Sequence, residues 1–205
     1  MKKYFFLILI TFCCFCSELY APDLIKATVK QYLNDLKNLS TEQRSIMMSA
    51  YTKGKAEGYD LLLPAIAWKE SYFGKYPINV ADGKYGSYGP YHVRLDIYAL
   101  RKKEQSTFHM SMLAVKFIND IDFSSKVTLE YINYFARNKP LSDTPIYDIA
   151  ARYNGGNNGH TKKQAKLYAL DVLLRMKALD IYINKTKKNL HLDNEIALSY
   201  RKTHS

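Results

Sequence analysis

Apolar residues recur at helical spacing along most of this chain, and the pattern fails in one internal segment. Leucine, isoleucine, alanine and tyrosine return every three or four positions, which predicts amphipathic helices. Between Lys75 and Gly89 this periodicity gives way to a stretch punctuated by Pro77 and glycines, which is typical of a loop or short strands. We therefore expect an all-α fold with one irregular loop or small β segment near the middle.

Capping residues predict where several helices begin and end. Ser40-Thr41-Glu42-Gln43 has the pattern of a capping box, in which the first and last residues bond reciprocally. Asp143-Thr144-Pro145 predicts a helix start, because proline fits the first helical turn. We expect the helix that carries Glu70 to stop at Gly74, since glycine favours helix C-termini. After Asn184 the sequence is basic and polar, and we expect a loosely held tail.

The first 21 residues have the composition of a secretory signal. Met1-Lys2-Lys3 is a basic n-region, and YFFLILITFCCFC is an apolar h-region that is too short for a comfortable membrane span. We expect cleavage after Ala21 and export to the periplasm, and an uncleaved signal anchor is the alternative. All three cysteines lie in this segment, so the mature chain would need no disulfide and would offer no cysteine to a metal.

The chain is basic, with 30 lysines and arginines against 19 acidic residues and a formal net charge of +11. Such a surface attracts nucleic acid, anionic lipid and anionic cell-wall polymer alike, although scattered lysines also make an ordinary solvated surface. No nucleic-acid recognition motif is present. His92, His109, His160 and His191 lack the spacing of metal ligands. We therefore expect no nucleic-acid partner, no metal and no cofactor.

Glu70 is the candidate catalytic group. It follows the apolar run from Pro64 to Trp68 and falls at the end of a predicted helix. Burial and the negative end of the helix dipole would both raise the pKa of its carboxyl group. A carboxylic acid that stays protonated near neutral pH can donate a proton to a leaving oxygen, as glycosidic cleavage requires. The alternative is a structural glutamate paired with Lys69 or Lys75, and spacing alone favours that interpretation.

Two further clusters could supply the walls of a sugar-binding groove. The segment 83–93 alternates small residues with tyrosines. Glycine lets the backbone approach a ligand closely, and tyrosine rings stack on sugar faces. The segment 152–156 ends a predicted helix, and Asn154 within it offers both a donor and an acceptor to an acetamido group. A glycine-rich surface loop and a helix C-cap are the respective alternatives.

Taken together, these clusters resemble the ordered motifs of soluble-lytic-transglycosylase (SLT) domains. The chain has AIAWKESYF, GSYGPYHV, ARYNGG and YALDV where that family has roughly E-S, G-A-x-G-L-M-Q-I, A-Y-N-x-G and Y-x-x-x-V. The resemblance covers about residues 60 to 182. It implies a lysozyme-like, α-rich fold with the irregular segment directly after the catalytic helix.

Site residues follow from the same resemblance. It implies that Glu70 is the catalytic acid and base, and that Ser71 orients either Glu70 or the substrate. Tyr153 and Asn154 match the pair that lines the cleft near the acid. Tyr168 matches the tyrosine of the last motif.

The second motif is where this chain departs from the family. Residues 89–93 fall on G-L-M-Q-I, so Tyr91 stands in place of a methionine and His92 in place of a glutamine. Gly83 stands where many members have a serine that touches the substrate. We expect Tyr91 and His92 to bind substrate, and we expect these departures to alter subsites more than the class of reaction.

The activity that the resemblance implies is cleavage of the β-1,4 linkage between MurNAc and GlcNAc in peptidoglycan. The products would carry 1,6-anhydro-MurNAc ends, and one carboxyl group would serve as both acid and base, unlike the two carboxylates of most glycosidases. Peptidoglycan glycan strands would be the partner, together with a secretion or motility apparatus of the cell envelope. We expect a monomer that meets the membrane only through an uncleaved signal.

Two other functions fit the same residues. A lysozyme-like muramidase would use Asp82 or Asp96 to activate water, although Asp82-Gly83 is also a common turn pair. A non-catalytic peptidoglycan-binding protein would account for the departures at Tyr91 and His92.

The domain organisation that we expect has four parts. These are a signal peptide over 1–21, an N-terminal helical segment over 22–58, an SLT or lysozyme-like catalytic domain over 59–184, and a basic polar tail over 185–205.

Overall fold

A computed structural model describes residues 22–102, 106–138, 143–185 and 189–204. The predicted signal peptide, 1–21, lies outside these residues. The described helices are α1 (22–37), α2 (Thr41–Ala56), α3 (Leu62–Ser71), α4 (Leu95–Lys102), α5 (Thr107–Asn119), α6 (Ile121–Asn138), α7 (Pro145–Gly155), α8 (Lys163–Ile183) and α9 (Leu190–His204), with a 3-10 turn over Gly159–Thr161. The expected all-α fold is confirmed.

A small antiparallel sheet occupies the segment in which the helical pattern fails. Its strands are β1 (Ile78–Asn79), β2 (Ser87–Tyr88) and β3 (Val93–Arg94), in the order β1-β2-β3. The turn between β2 and β3 packs tightly on the end of α5. Gly89 has φ +79°, and a Cβ atom there would lie 2.2 Å from the carbonyl oxygen of Phe117. Only glycine fits that position, which fixes the path of the chain just before His92.

The long helix α8 lies at the centre of the core and packs against α3, α7 and α9. Helix α3 lies between α2 and α8, and its residues from Leu62 to Trp68 are all buried. A helix that is apolar on every side must be enclosed by other elements. The chain therefore buries α3 almost completely and brings its C-terminal end, with Glu70, to the edge of the core.

The predicted helix starts are confirmed. Ser40 Oγ accepts from the Gln43 amide at 3.3 Å, and Gln43 Oε1 accepts from the Ser40 amide at 2.9 Å. The Gln43 side-chain amide also donates to the carbonyl of Tyr72 at 2.8 Å, which ties the start of α2 to the end of α3. Pro145 takes the first position of α7, as expected.

Helix α3 ends at Ser71, three residues before the expected stop at Gly74. Tyr72 and Phe73 already have left-handed backbones, with φ of 55° and 56°. Packing explains the early end, because the turn brings the Phe73 ring into the core, stacked on Trp68 with 5.7 Å between ring centroids. This aromatic burial outweighs the small cost of left-handed residues other than glycine.

The expected loose tail is wrong for residues 190–204, which form α9 and pack on α8. Leu192 and Ile196 stand four positions apart and are buried, so they form a short apolar stripe that fits α8. Glu195 is buried as well, and its Oε1 accepts from the amide of Tyr147 at 2.9 Å. It thereby caps α7, whose N-cap residue Thr144 makes no side-chain capping bond.

Within the described ranges, none of the helices combines the length and apolar character that a membrane span requires. In the same ranges, no group of three or more histidine, cysteine, aspartate or glutamate side chains is arranged to hold a metal ion.

Candidate active site

A cleft of about 540 Å³ opens beside the end of α3. One wall comes from the sheet segment and the start of α4, and the opposite wall comes from α6 and the C-terminal end of α7. Its volume falls in the range of roughly 300–1,000 Å³ that is common for small-ligand sites. The ionisable and polar lining residues include Glu70, Asp82, His92, Arg94, Tyr153 and Asn154.

Glu70 is held from two sides. The hydroxyl of Tyr168, on α8, donates to Glu70 Oε1 at 2.6 Å. On the other side, His92 Nδ1 lies 3.4 Å from Glu70 Oε2. The Glu70 side chain is 18% exposed, so a ligand in the cleft can reach it while one oxygen stays fixed by the tyrosine.

The two lysines that could have made Glu70 a structural residue have other partners. Lys69 Nζ lies 2.6 Å from Asp171 Oδ2. Lys75 Nζ lies over the rings of Tyr72 and Tyr76, at 5.9 and 5.3 Å from their centroids. The proposed pairing of Glu70 with Lys69 or Lys75 is therefore wrong.

His92 has a defined hydrogen-bonding orientation. Its Nε2 lies 2.8 Å from the carbonyl oxygen of Tyr76, and because a carbonyl can only accept, Nε2 carries the hydrogen. Nδ1 then presents a lone pair to Glu70 when the ring is neutral and an N–H group when it is charged. Burial lowers the pKa of His92, but hydrogen bonds to Glu70 and Tyr76 and the charges of Glu70 and Asp82 outweigh it. The pKa of His92 is raised above its ordinary value.

Tyr153 and Tyr168 both reach the site from helices that pack on each other. The Tyr153 hydroxyl donates to the carbonyl of Tyr91 at 2.7 Å and fixes the loop one residue before His92. Burial, followed by the charge of Glu70, raises the pKa of both tyrosines well above the ordinary value. Both hydroxyls therefore stay protonated and act as donors.

Tyr91 does not bind substrate through its side chain, contrary to expectation. The side chain is fully buried, and its hydroxyl shares a hydrogen bond of 2.8 Å with Ser125 Oγ. A large ring next to the buried face of α6 gains more from burial than from facing the cleft. Only the backbone carbonyl of Tyr91 contributes to the site, by accepting the hydrogen bond from the Tyr153 hydroxyl.

Ser71 also lies outside the cleft. It is fully buried, and its Oγ donates to the carbonyl of Pro90 and accepts from the amide of Gly74, both at 2.7 Å. Of the two expected roles, contact with the substrate is therefore wrong. Ser71 instead joins the end of α3 to the loop that carries His92, so it positions the site.

Asn154 is where the sequence predicted it, exposed at the end of α7 and lining the cleft. Sequence reasoning missed Arg94, Tyr131 and Phe135, which also line it. Tyr131 and Phe135 lie on α6 at the same helical spacing as core residues, so nothing in the sequence distinguished these two cleft residues from residues of the core. Arg94 pairs with Asp96 at 2.6 Å, and its Nε lies 3.8 Å from Asp82.

The cleft is lined by the carboxyl groups of Glu70 and Asp82, a histidine, the Tyr153 hydroxyl and an exposed amide, and Tyr168 donates to Glu70 from α8. A carboxyl group with one oxygen fixed and the other free to carry a proton can act as a general acid and then as a base. No protein-family model, no curated protein and no solved structure matches this chain significantly.

Proposed function

We propose that the protein is a peptidoglycan lytic transglycosylase that cleaves the MurNAc–GlcNAc linkage with Glu70 as its single general acid and base. One contact carries the proposal: the 2.6 Å hydrogen bond from Tyr168 to Glu70, which joins the first and last SLT-like motifs across 98 residues. Tyr153 and Asn154, from a third motif, line the same cleft. Residues from four motifs that are far apart in sequence thus lie at or beside one cleft, and this supports the proposal.

The reaction begins when protonated Glu70 donates to the glycosidic oxygen as the bond from that oxygen to C1 of MurNAc breaks. The leaving GlcNAc keeps the oxygen as a free hydroxyl. The substrate's own acetamido group stabilises the positive charge at C1. Glu70, now a carboxylate, then accepts the proton of the C6 hydroxyl while O6 bonds to C1. The 1,6-anhydro ring closes, the proton is back on Glu70 and no water is consumed.

The neighbours of Glu70 suit this double role. The Tyr168 hydroxyl stabilises the carboxylate that forms after donation, because a hydrogen bond to a charged acceptor is stronger than one to a neutral acceptor. The other oxygen, Oε2, is the one that carries the proton. The lysines nearest in sequence have other partners, Lys69 in Asp171 and Lys75 in the rings of Tyr72 and Tyr76.

A lysozyme-like hydrolase is the second candidate, and the position of Asp82 favours it. Asp82 lines the same cleft as Glu70 and can present a carboxylate to a water molecule. Asp96 is a weaker candidate for the base, because its hydrogen bonds with Arg94 outweigh burial and lower the pKa of its carboxyl group. A carboxylate held by a guanidinium is a poor base.

The expected setting follows from the substrate. A signal over 1–21 would export the chain to the periplasm, where the wall lies, and a net charge of +11 suits anionic wall polymers. A monomer with one cleft is sufficient for the reaction. Local opening of the wall would serve growth or the assembly of a secretion or motility apparatus.

The test is mass spectrometry of muropeptides released from purified peptidoglycan by the wild type, Glu70→Gln and Asp82→Asn. We expect anhydro-ended products from the wild type and from Asp82→Asn, and none from Glu70→Gln at an unchanged melting temperature. Reducing ends that disappear in Asp82→Asn would establish the hydrolase instead. Equal digestion by Glu70→Gln would remove Glu70 from the mechanism, and binding without release by the wild type would indicate a non-catalytic wall-binding protein.

A further inference from the structure

The contact between Glu70 and His92 is a feature of the cleft that the single-carboxyl mechanism does not use. We propose that Glu70 and His92 share one exchangeable proton, so that His92 buffers the protonation of the catalytic acid. The sharing itself is a property of the folded chain. Its effect on catalysis rests on the proposed function.

Geometry restricts where the shared proton can be. The Tyr76 carbonyl holds the hydrogen of His92 on Nε2 at 2.8 Å, and the Tyr168 hydroxyl occupies Glu70 Oε1 at 2.6 Å. What remains is the pair formed by His92 Nδ1 and Glu70 Oε2, at 3.4 Å. One proton fits between them, either on Oε2 beside a neutral imidazole or on Nδ1 beside a carboxylate.

The backbone keeps His92 in this place. Its φ of 47° is left-handed, which is uncommon for residues other than glycine. The hydrogen bonds from Ser71 to Pro90 and from Tyr153 to Tyr91 fix the two preceding residues. The imidazole side chain is only 10% exposed, so water competes weakly for Nδ1.

A pair of this kind titrates as a unit. Between its two macroscopic pKa values the pair keeps one proton, and a constant fraction of that proton is on Glu70. A glutamine in place of His92 can donate a hydrogen bond but cannot take up or release a proton. With glutamine, Glu70 would be the only group of the pair that titrates, and its acid form would fall about tenfold per pH unit above its own pKa, with no range over which it stays constant.

The pair of Glu70 and His92 also regains over one catalytic cycle the proton that it gives up. Glu70 gives its proton to the glycosidic oxygen, which leaves the pair with none, and the C6 hydroxyl returns one proton as the ring closes. Before each turnover the proton can move from Nδ1 to Oε2 along their contact. His92 thus keeps the protonated fraction of Glu70 constant between the two macroscopic pKa values of the pair.

Several other groups face the pair. Asp82, in the loop after β1, favours the charged imidazole. Arg94, on β3, opposes it, but Asp96 and Asp82 both lie against the guanidinium and offset its charge. The hydroxyls of Tyr153 on α7 and Tyr168 on α8 stay neutral because burial raises their pKa values. Tyr131 on α6, Arg152 on α7 and Lys162 before α8 also line the cleft.

The catalytic half of the proposal is tested by the pH profile of kcat/KM. In His92→Gln we expect the alkaline limb to begin about one pH unit or more lower, because no constant fraction of protonated Glu70 is then maintained above the pKa of Glu70 alone. At alkaline pH the two rates converge, and at lower pH the variant is at least as fast, because His92 no longer competes for the proton. His92→Asn, which tolerates a left-handed backbone, should behave likewise. His191→Gln is the matched control, because His191 is 78% exposed on α9. An alkaline limb that does not move in His92→Gln overturns the proposal.

A second measurement does not need activity. Nitrogen chemical shifts of the His92 ring, followed against pH, should show Nε2 protonated throughout and Nδ1 titrating. In Glu70→Gln the Nδ1 midpoint should fall, since the carboxylate that favours the charged ring is gone. An unchanged midpoint overturns the shared proton whether or not the protein cleaves peptidoglycan. A midpoint that falls, together with a wild type that releases nothing, upholds the pair and overturns the proposed function alone.

Discussion

Lys69 Nζ lies 2.6 Å from the Asp171 carboxylate, and this ion pair lies directly beside the contact between Glu70 and Tyr168. Lys69 precedes Glu70 on α3, and Asp171 follows Tyr168 by three positions on α8. The same two helices are therefore joined twice at neighbouring positions. The ion pair holds α3 and α8 in the register that places the tyrosine hydroxyl on the carboxyl group.

Asp171→Asn should destabilise the fold and weaken this register. Arg175 also lies 3.3 Å from Asp171, so the substitution leaves two partly buried cations without their carboxylate, and we expect a loss of about 1–3 kcal/mol. Urea unfolding at neutral pH measures it. Asp122→Asn is the control, because Asp122 is 75% exposed and pairs at 2.8 Å with Lys53, itself 32% exposed, and its loss should stay below about 1 kcal/mol. Equal losses would contradict a special role for Asp171.

The same group predicts a pH dependence. Burial raises the pKa of Asp171, but Arg175, Lys69 and Tyr32 outweigh it, and the pKa is lowered overall. The contribution of Asp171 to stability is therefore fully present above the pKa that this group has in the unfolded chain. It is lost as the pH falls through the lower pKa that the group has in the folded protein. The difference between wild type and Asp171→Asn should shrink in acid. A difference that stays constant down to about pH 2 would contradict this account.

Tyr168→Phe should lower kcat more than it raises KM. It removes the hydrogen bond that stabilises the Glu70 carboxylate, which for a charged acceptor corresponds to roughly a 10- to 100-fold loss. Tyr51→Phe serves as the control, since Tyr51 donates to Asn184 at 2.9 Å at an exposed site and should keep wild-type turnover. Wild-type kcat in Tyr168→Phe would show that the tyrosine does not act on Glu70.

Ser71→Ala should destabilise the protein by about 1–3 kcal/mol, because the carbonyl of Pro90 and the amide of Gly74 lose a buried partner. Ser87→Ala is a close control. Ser87 is equally buried, and its Oγ has no hydrogen-bond partner among the described residues. We expect Ser87→Ala to be neutral or stabilising, as measured by thermal and urea unfolding. If the two variants unfold alike, the contacts of Ser71 do not hold the loop.

Glu195→Gln should stabilise the protein near neutral pH. The pKa of Glu195 is raised overall, because burial raises it by more than the hydrogen bond from the Tyr147 amide lowers it. The contribution of Glu195 to stability is therefore complete below the pKa that this group has in the unfolded chain. It is lost as the pH rises through the higher pKa that the group has in the folded protein. Glutamine keeps the acceptor for Tyr147 without the charge, so its advantage should appear near pH 7 and vanish near pH 4. Glu195→Ala, which loses the cap, should be less stable at both pH values.

The helices, their caps and the candidate acid were predictable from the sequence, because these features depend on neighbours three or four residues away. Ser40 and Gln43 cap α2 wherever α2 lies in the fold. Glu70 could be singled out because an apolar run leads to it. The order of the motifs suggested its partners without locating them.

Tertiary packing decided which of those residues face a ligand. Tyr91 and Ser71 belong to the same motifs as His92 and Glu70, yet the first two are fully buried and the last two line the cleft. Packing likewise paired Lys69 with Asp171 rather than with Glu70. Burial and long-range pairing depend on how distant helices share one core, and no local pattern contains that information. The sequence by itself determined that Glu70 ends an apolar helix, and only the packing of α3, α7, α8 and the sheet gave it a tyrosine, a histidine and a cleft.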